Sequence, residues 1–284
     1  MGRDQLTVYS RRLVYLFKGE LNHRGEKIMR KKIVGTSWKT HIYSMGEGKA
    51  LAQEIKERVG DVENIDIFIL PTYPLIPAIA DILQDSYIKW GAQNVSHREK
   101  GALTGEVPPK ILRELGCEYI EIGHAERRNI FHETDEMVAK KVKLSLDYGM
   151  VPVVCIGESK EEKDEKLSKI KLKTQILWAM NSLGEEERKK VILAYEPIWA
   201  IGQDEAAHPD YVEEVHSFLR QTLQSEYGNE SSDRIRIIYG GSVNPENALE
   251  LSKQENIDGL FIGRFGLKAV DFERITQAVL QCQR

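Results

Sequence analysis

LAYEPIWAIGQDEAAH, residues 193–208, runs from a short apolar stretch into a carboxylate, Glu196, and then into the stiff trio Pro197-Ile198-Trp199. Ala200, Ile201, Gly202, Gln203, Asp204, Glu205, Ala206 and Ala207 follow, a composition that neither continues a strand nor starts a core helix. The segment reads as the carboxyl end of a buried strand opening into a loop. Working outward from it, β-rich runs recur at Lys31–Val34, Ile65–Leu70, Tyr87–Trp90, Tyr119–Ile122, Val151–Cys155, Val191–Ala194, Ile235–Tyr239 and Gly259–Ile262. Helical stretches with caps or breakers lie between them, which predicts a parallel sheet covered by helices. About eight such units predict an α/β protein of one domain, a closed (β/α)₈ barrel, with a doubly wound open sheet as the alternative. No G-x-G-x-x-G follows the first run and no Walker A string occurs, which counts against a nucleotide-binding open sheet.

The chain has 284 residues, 41% of them hydrophobic, and a formal net charge of −4. This is enough for a single barrel with a large core, and it gives no electrostatic footprint for nucleic acid or an anionic membrane. An anionic substrate must therefore be met by a local site. Cys117, Cys155 and Cys282 are scattered, with no C-x-x-C spacing, which argues against structural zinc and for a reducing compartment, the cytoplasm. No apolar run is long enough to span a bilayer, and RRLVYLFKGE (11–20) lacks the cleavage site of a signal peptide. Residues 1–28 have no clear period and are expected to be an extension outside the barrel, which then occupies residues 29–284. Glu161–Leu177 is expected to be one helix with Leu167, Ile170, Thr174 and Leu177 on its buried face. Glu162–Lys166 and Glu165–Lys169 would be ion pairs on its wet side.

In a barrel, chemistry sits at the carboxyl ends of the strands. Five such ends carry polar groups that packing does not require: Ser37, Trp38 and Lys39 after the first, Gly123-His124-Ala125-Glu126-Arg127-Arg128 after the fourth, and Glu196 after the sixth. The seventh and eighth give Gly240-Gly241-Ser242 and Gly263-Arg264. Each has an ordinary structural reading: a solvated cation, a satisfied core histidine, a helix-start carboxylate, a barrel turn. Together, a carboxylate, an imidazole and a cation form a set suited to moving a proton next to a carbonyl.

The strings GTSWK, GALTGE, EIGHAERR, VVCIGES, AYEPIWAIG and IIYGGSVNPEN, in this order from about Arg30 onward, resemble the motifs of the triosephosphate isomerase family. The resemblance implies a (β/α)₈ barrel, a homodimer, a small phosphorylated sugar as substrate, and no metal or organic cofactor. That family is the standard worked case of a glutamate base beside a neutral histidine, so these roles are carried over by resemblance. Glu196 would be the base, His124 would polarise the carbonyl and stay neutral at a helix start, and Lys39 would stabilise the enediolate. Glu126 would support them by pairing with a lysine or capping the helix. Pro197-Ile198-Trp199 would be a hinge and Ala200–Ala207 a lid, with Gly202, Ser242 and Gly263 meeting the phosphate. The loop Val95–Val107 would make the dimer, placing GALTGE beside the partner's site.

The chain departs from the family pattern at four places. The lid tip reads Gln203-Asp204-Glu205 in place of a T-G-K-like string; Ser37 and His41 stand where asparagines are usual; Arg264 replaces a glycine of the phosphate loop. Ser37 is expected to leave extra room and Arg264 to add a bidentate phosphate contact or to pair with the lid acids. A branch of the family that isomerises four-carbon erythrulose phosphates is similar in its GTSWK string and its non-glycine phosphate-loop residue, which makes such a sugar the alternative substrate. A barrel that has lost turnover and only binds is the remaining alternative.

Overall fold

The computed structural model describes residues 30–202 and 206–283. The expected extension (1–28) and the lid tip Gln203-Asp204-Glu205 lie outside the described residues. Eight strands form a closed barrel in sequence order: β1 (Ile33–Ser37), β2 (Asp66–Leu70), β3 (Ile88–Ala92), β4 (Tyr119–Ile122), β5 (Val151–Ile156), β6 (Ile192–Tyr195), β7 (Arg236–Tyr239) and β8 (Gly259–Ile262). Each is parallel to its neighbours, and β1 pairs with β8 to close the ring, Ile33 opposite Gly259. Helices cover the outside, among them Met45–Val59, Asp135–Asp147, Ser168–Met180, Pro209–Arg234 and Ala269–Leu280.

Two apolar layers explain why the strands read as almost unbroken hydrophobic runs. Val34, Ile67, Ile69, Ile120, Ile122, Leu193 and Ile237 pack outward against the helices, while Ile33, Phe68, Tyr119, Val153, Ile192, Ile238 and Phe261 fill the lumen. Strand residues alternate between these layers because successive side chains point to opposite faces. Phe68 stacks on Tyr119 at 4.5 Å between ring centroids and on Phe261 at 5.8 Å. The close fit demands Gly35, where a Cβ would fall 2.0 Å from the Phe68 ring.

Three expectations need correction. β1 begins later than Lys31 and runs on to Ser37, because Lys31 and Lys32 serve the amino-terminal rim: Lys31 pairs with Asp66 (2.7 Å) and Lys32 Nζ donates to the Ile257 carbonyl (2.5 Å). The helix expected over Glu161–Leu177 is two helices, Lys160–Asp164 and Ser168–Met180, divided at Lys166, whose φ is 61°. Its expected faces also differ. Leu172, Gln175, Ile176, Ala179 and Met180 are buried, whereas Leu167 and Ile170 are exposed. With the helix interrupted, Glu162 closes a capping box with Ser159 and pairs with Lys171, and Lys169 pairs with Glu214, in place of the expected pairs to Lys166 and Glu165.

Beneath the barrel, buried Asp258 accepts from Arg30 Nε (2.6 Å), Arg220 Nη2 (2.6 Å) and the backbone N–H of Ile237 (2.7 Å), tying the start of β1 to β7, β8 and the Pro209–Arg234 helix. Burial opposes ionisation there, but the two guanidinium groups hold the carboxyl below its ordinary range.

Candidate active site

The strand ends open into a cavity of about 360 Å³. Ser37, Lys39, Glu126, His124, Glu196, Gly202, Ser242, Gly263 and Arg264, all singled out in the sequence, line it together, as does His41. Each arrives by a local device. Lys39 leaves β1 in a left-handed turn with φ 48°, a conformation that costs a non-glycine residue energy and turns its side chain back over the mouth. His124 caps the short helix Ala125–Ile130, its Nδ1 accepting from the backbone N–H of Glu126 at 3.1 Å. Glu196 follows β6 and is 7% exposed. Gly240 makes room for it, since a Cβ there would lie 2.5 Å from the Glu196 Cγ.

These groups engage one another directly. Glu196 Oε2 lies 3.4 Å from His124 Nε2, and Lys39 Nζ donates to Glu126 Oε1 at 2.6 Å. Glu126 thus pairs with a lysine, one of its two expected roles. Burial lowers the affinity of the Lys39 amine for its proton, but the bond to Glu126 and the field of Glu196 overcome this and hold its pKa above the ordinary value. Burial likewise acts to raise Glu196, and the His124 ring, aided by Cys155 and Lys39, holds it below the usual carboxylate value.

Two opposing influences act on the protonation of His124, which the sequence reading expects to be neutral. A short helix start and burial both disfavour the imidazolium, yet the adjacent Glu196 carboxylate outweighs them and pushes the pKa up to about 9. The geometry acts the other way: the N–H of Glu126 points into Nδ1, a bond that only the neutral ring, with its proton on Nε2, can accept. The proton of the pair therefore sits on the Nε2 side, between the ring and Glu196.

Glu121 is a site residue that the sequence reading passed over. It lies within β4, is 3% exposed, lines the cavity, and its Oε2 is 2.7 Å from Ser37 Oγ. Alternation was the available signal: Tyr119 faces the lumen, so Glu121 does too, one level higher. Burial, with a contribution from Glu196, raises it to about 7 against the opposing effects of His124, Ser37 and Lys39. The room expected from the short Ser37 side chain is thus bordered by a second carboxyl. Glu121, Cys155 and Glu196 offer three donor atoms within 4.8 Å of one another. Burial and the two carboxylates push the Cys155 thiol well above its ordinary range, so it stays protonated and donates toward Glu196 instead of serving as a thiolate ligand.

Both described ends of the expected lid are tethered. Ile198–Ala200 forms a short 3-10 turn, and Trp199 Nε1 donates to Glu158 Oε1 at 2.9 Å, an oxygen that also receives the hydroxyls of Tyr195 (3.1 Å) and Tyr211 (3.2 Å). Lys163 Nζ sits 3.4 Å from the centre of the Trp199 ring. Ser242 Oγ donates to the Ala200 carbonyl at 2.7 Å, and the Ala207 N–H donates to Tyr239 Oη at 3.2 Å. Gly202 has φ 71°, which explains the glycine, and Gly263 precedes the 3-10 turn Arg264–Leu267, with both Gly263 and Arg264 exposed at the rim.

The family model described as triosephosphate isomerase matches residues 32–279. Proteins named triosephosphate isomerase are similar to this chain: that of Clostridium botulinum type A is 41% identical over 247 residues, covering 87% of this chain and 99% of the relative. That of Chloroherpeton thalassium is 40% identical over 251 residues (88% and 99% covered), and that of Dictyoglomus thermophilum 38% over 250 (88% and 100%). With this match along the whole barrel, and with a buried carboxylate, an imidazole and an ammonium brought to one mouth, the chain belongs to the triosephosphate isomerase family.

Proposed function

We propose that the protein is an aldose–ketose isomerase that interconverts dihydroxyacetone phosphate and glyceraldehyde 3-phosphate. The observation that carries this reading is the convergence of Glu196, His124 and Lys39 on one cavity whose far rim is the glycine-rich Gly240–Ser242 and Gly263 pair of loops. Glu196 takes the proton from the hydroxymethyl carbon, and the electron pair moves to form an enediolate. His124 Nε2–H donates to the carbonyl oxygen, and the fixed charge of Lys39 offsets the negative charge that develops there. The hydroxyl proton passes through His124 to the former carbonyl oxygen, and Glu196 returns the other proton to the neighbouring carbon, leaving the aldehyde. The backbone N–H groups of Gly202, Ser242 and Gly263, with Arg264, hold the phosphate, and the lid excludes the water that would let the enediolate lose it.

The working unit is a homodimer. In support, the tip of the Val95–Val107 loop is exposed while its base is fixed by a Ser96–Val107 hydrogen bond (2.9 Å) and by buried Lys141 donating to Asn94 (2.8 Å). Tyr43 and Met45, 87% and 46% exposed just beyond Lys39, supply the apolar surface a partner would cover. The compartment is the cytoplasm, in keeping with three free cysteines. A coupled assay on the two triose phosphates, with Glu196→Gln as control, tests the activity. A parent enzyme without turnover, or a control with parental turnover, refutes it. Sedimentation that found a fully active monomer would refute the dimer.

A further inference from the structure

A second cavity shares only Glu196 with the first. It measures about 10 Å³, close to the room one water molecule needs, and Gly123, Arg128, Cys155, Gly157 and Gln175 are among the residues around it. Two of its lining residues each carry an enclosed polar atom with no hydrogen-bond partner among the described residues, Arg128 Nη2 and Glu196 Oε1. One can only donate and the other can only accept, and each is costly to bury unmatched. Gln175, the other polar side chain of the wall, meets neither, because it is engaged with the backbone N–H (3.0 Å) and carbonyl (3.4 Å) of Gly157.

The guanidinium is fixed by its other two nitrogens. Arg128 Nε donates to the Gly123 carbonyl at 2.7 Å and Nη1 pairs with Asp135 at 2.6 Å. Nη2 then packs over Gly123, where a Cβ would fall 3.0 Å from it, and Gly123 is itself a wall of the cavity. Across the cavity, Glu196 turns Oε2 to His124 at 3.4 Å, and the Cys155 thiol, another wall, lies against the carboxylate. We propose that the cavity holds one ordered water that accepts from Arg128 Nη2 and donates to Glu196 Oε1, which makes Arg128 a positioning residue for the base. The proposal rests on the isomerase reading above and adds a residue to the same site. With Oε2 beside His124 and Oε1 held by the water, rotation about the Cγ–Cδ bond, which would carry the basic oxygen out of line with the substrate carbon, is restrained.

A crystal structure of the parent at a resolution that orders solvent should show a water within hydrogen-bond distance of both Arg128 Nη2 and Glu196 Oε1. Kinetics then separate the bridge from the charge of Arg128, since Glu196 is also faced by His124, Lys39, Glu121, Tyr239 and the Cys155 thiol. Arg128→Lys keeps the charge but not the planar fork that serves Gly123, Asp135 and the water together. The bridge favours the charged carboxylate, so its loss raises the pKa of Glu196. The acidic limb of kcat/KM on the triose phosphates should therefore move up by roughly one pH unit, while kcat at neutral pH falls roughly tenfold and KM changes little. A purely structural arginine would lower Tm and kcat together and leave the limb in place. Should Arg128→Lys not fold, Ala125→Val, which takes up room in the cavity and leaves Arg128 untouched, should shift the limb in the same direction. A dry cavity in the crystal, or an acidic limb that stays at its parental position in the variants, overturns the bridge and leaves the isomerase reading standing. A parent without turnover on either triose phosphate overturns the isomerase reading and the role of Arg128 with it.

Discussion

Replacing Glu121 with glutamine should make the protein more stable at neutral and alkaline pH than the parent, and the gain should vanish in acid. The side chain is 3% exposed and its pKa is raised from 4.5 to about 7, first by burial and then by Glu196. A carboxyl raised on folding binds its proton more tightly in the native state. Its contribution is therefore fully present below the unfolded pKa and is lost as pH rises through the native one. The difference between 4.5 and about 7 is roughly 2.5 pH units, or about 3 kcal/mol, since each unit corresponds to about 1.4 kcal/mol. Glutamine has nearly the same shape and no charge, so it escapes that penalty. The stability difference between variant and parent should grow by about 3 kcal/mol from about pH 4 to about pH 8. At roughly 2–4 °C per kcal/mol this is a relative Tm shift of roughly 6–12 °C. Urea denaturation of both proteins at several pH values measures it, other titrating groups largely cancelling in the difference. A difference that stays constant to within about 0.5 kcal/mol across that range refutes the reasoning, because surface-like behaviour is all that would remain.

Other outcomes follow from the same geometry. Glu196→Asp retracts the carboxylate by about one bond and should lower kcat by 10²-fold or more with little change in KM; kinetics within about tenfold of the parent would remove Glu196 as base. Gly240→Ala places a Cβ 2.5 Å from the Glu196 Cγ, so it should displace the base and cost roughly 10²-fold in kcat while the melting curve moves little. Asp258→Ala leaves Arg220 buried without its carboxylate and should cost about 3–5 kcal/mol in denaturant unfolding. Because Asp258 is lowered on folding, its stabilisation is present above the ordinary carboxylate range and lost as pH falls. The variant should therefore lack that part of the parent's acid sensitivity.

The barrel was legible because its strands are buried on both sides, so eight short apolar runs stand out without any tertiary information. The residues at their ends were legible for the same reason: Lys39, His124 and Glu196 interrupt apolar runs where a packed core has no use for charge. Glu121 shows where that criterion stops. Flanked by isoleucines inside β4, it looked like part of the strand, and only its alternation with Tyr119 placed it in the lumen. Its partner Ser37 lies 84 positions away in the chain, and a contact of that range leaves no local pattern. The division of the Lys160–Met180 region was illegible for another reason. No glycine or proline marks it; Lys166 takes up the left-handed turn itself, at a cost that the packing of Leu172 and Ile176 offsets. Once the helix is split, its exposed and buried faces no longer follow from a single period, which is why Leu167 and Ile170 emerge on the solvent side.

Two carboxyls in the same mouth must differ if one is to act as a base. Burial does not separate them: both are almost fully enclosed, and desolvation raises both. Their neighbours do. Glu196 has an imidazole at 3.4 Å and a thiol that donates to it, so its charged form is favoured, whereas at Glu121 the lowering effects of His124, Ser37 and Lys39 are outweighed by burial and the negative field of Glu196. Ionising Glu196 thereby makes ionising Glu121 harder, and the pair settles with one charge. This arrangement leaves a base and a hydrogen-bond donor side by side at neutral pH. It also makes the histidine responsible for more than the carbonyl. His124→Leu should remove the chief influence lowering Glu196, so that the two carboxyls compete for the single proton. The basic limb of the Glu121 titration would then move, which carboxyl-labelled NMR of the variant can read. If the Glu121 titration stays where it is in the parent, the two carboxyls are independent and this account of their division fails.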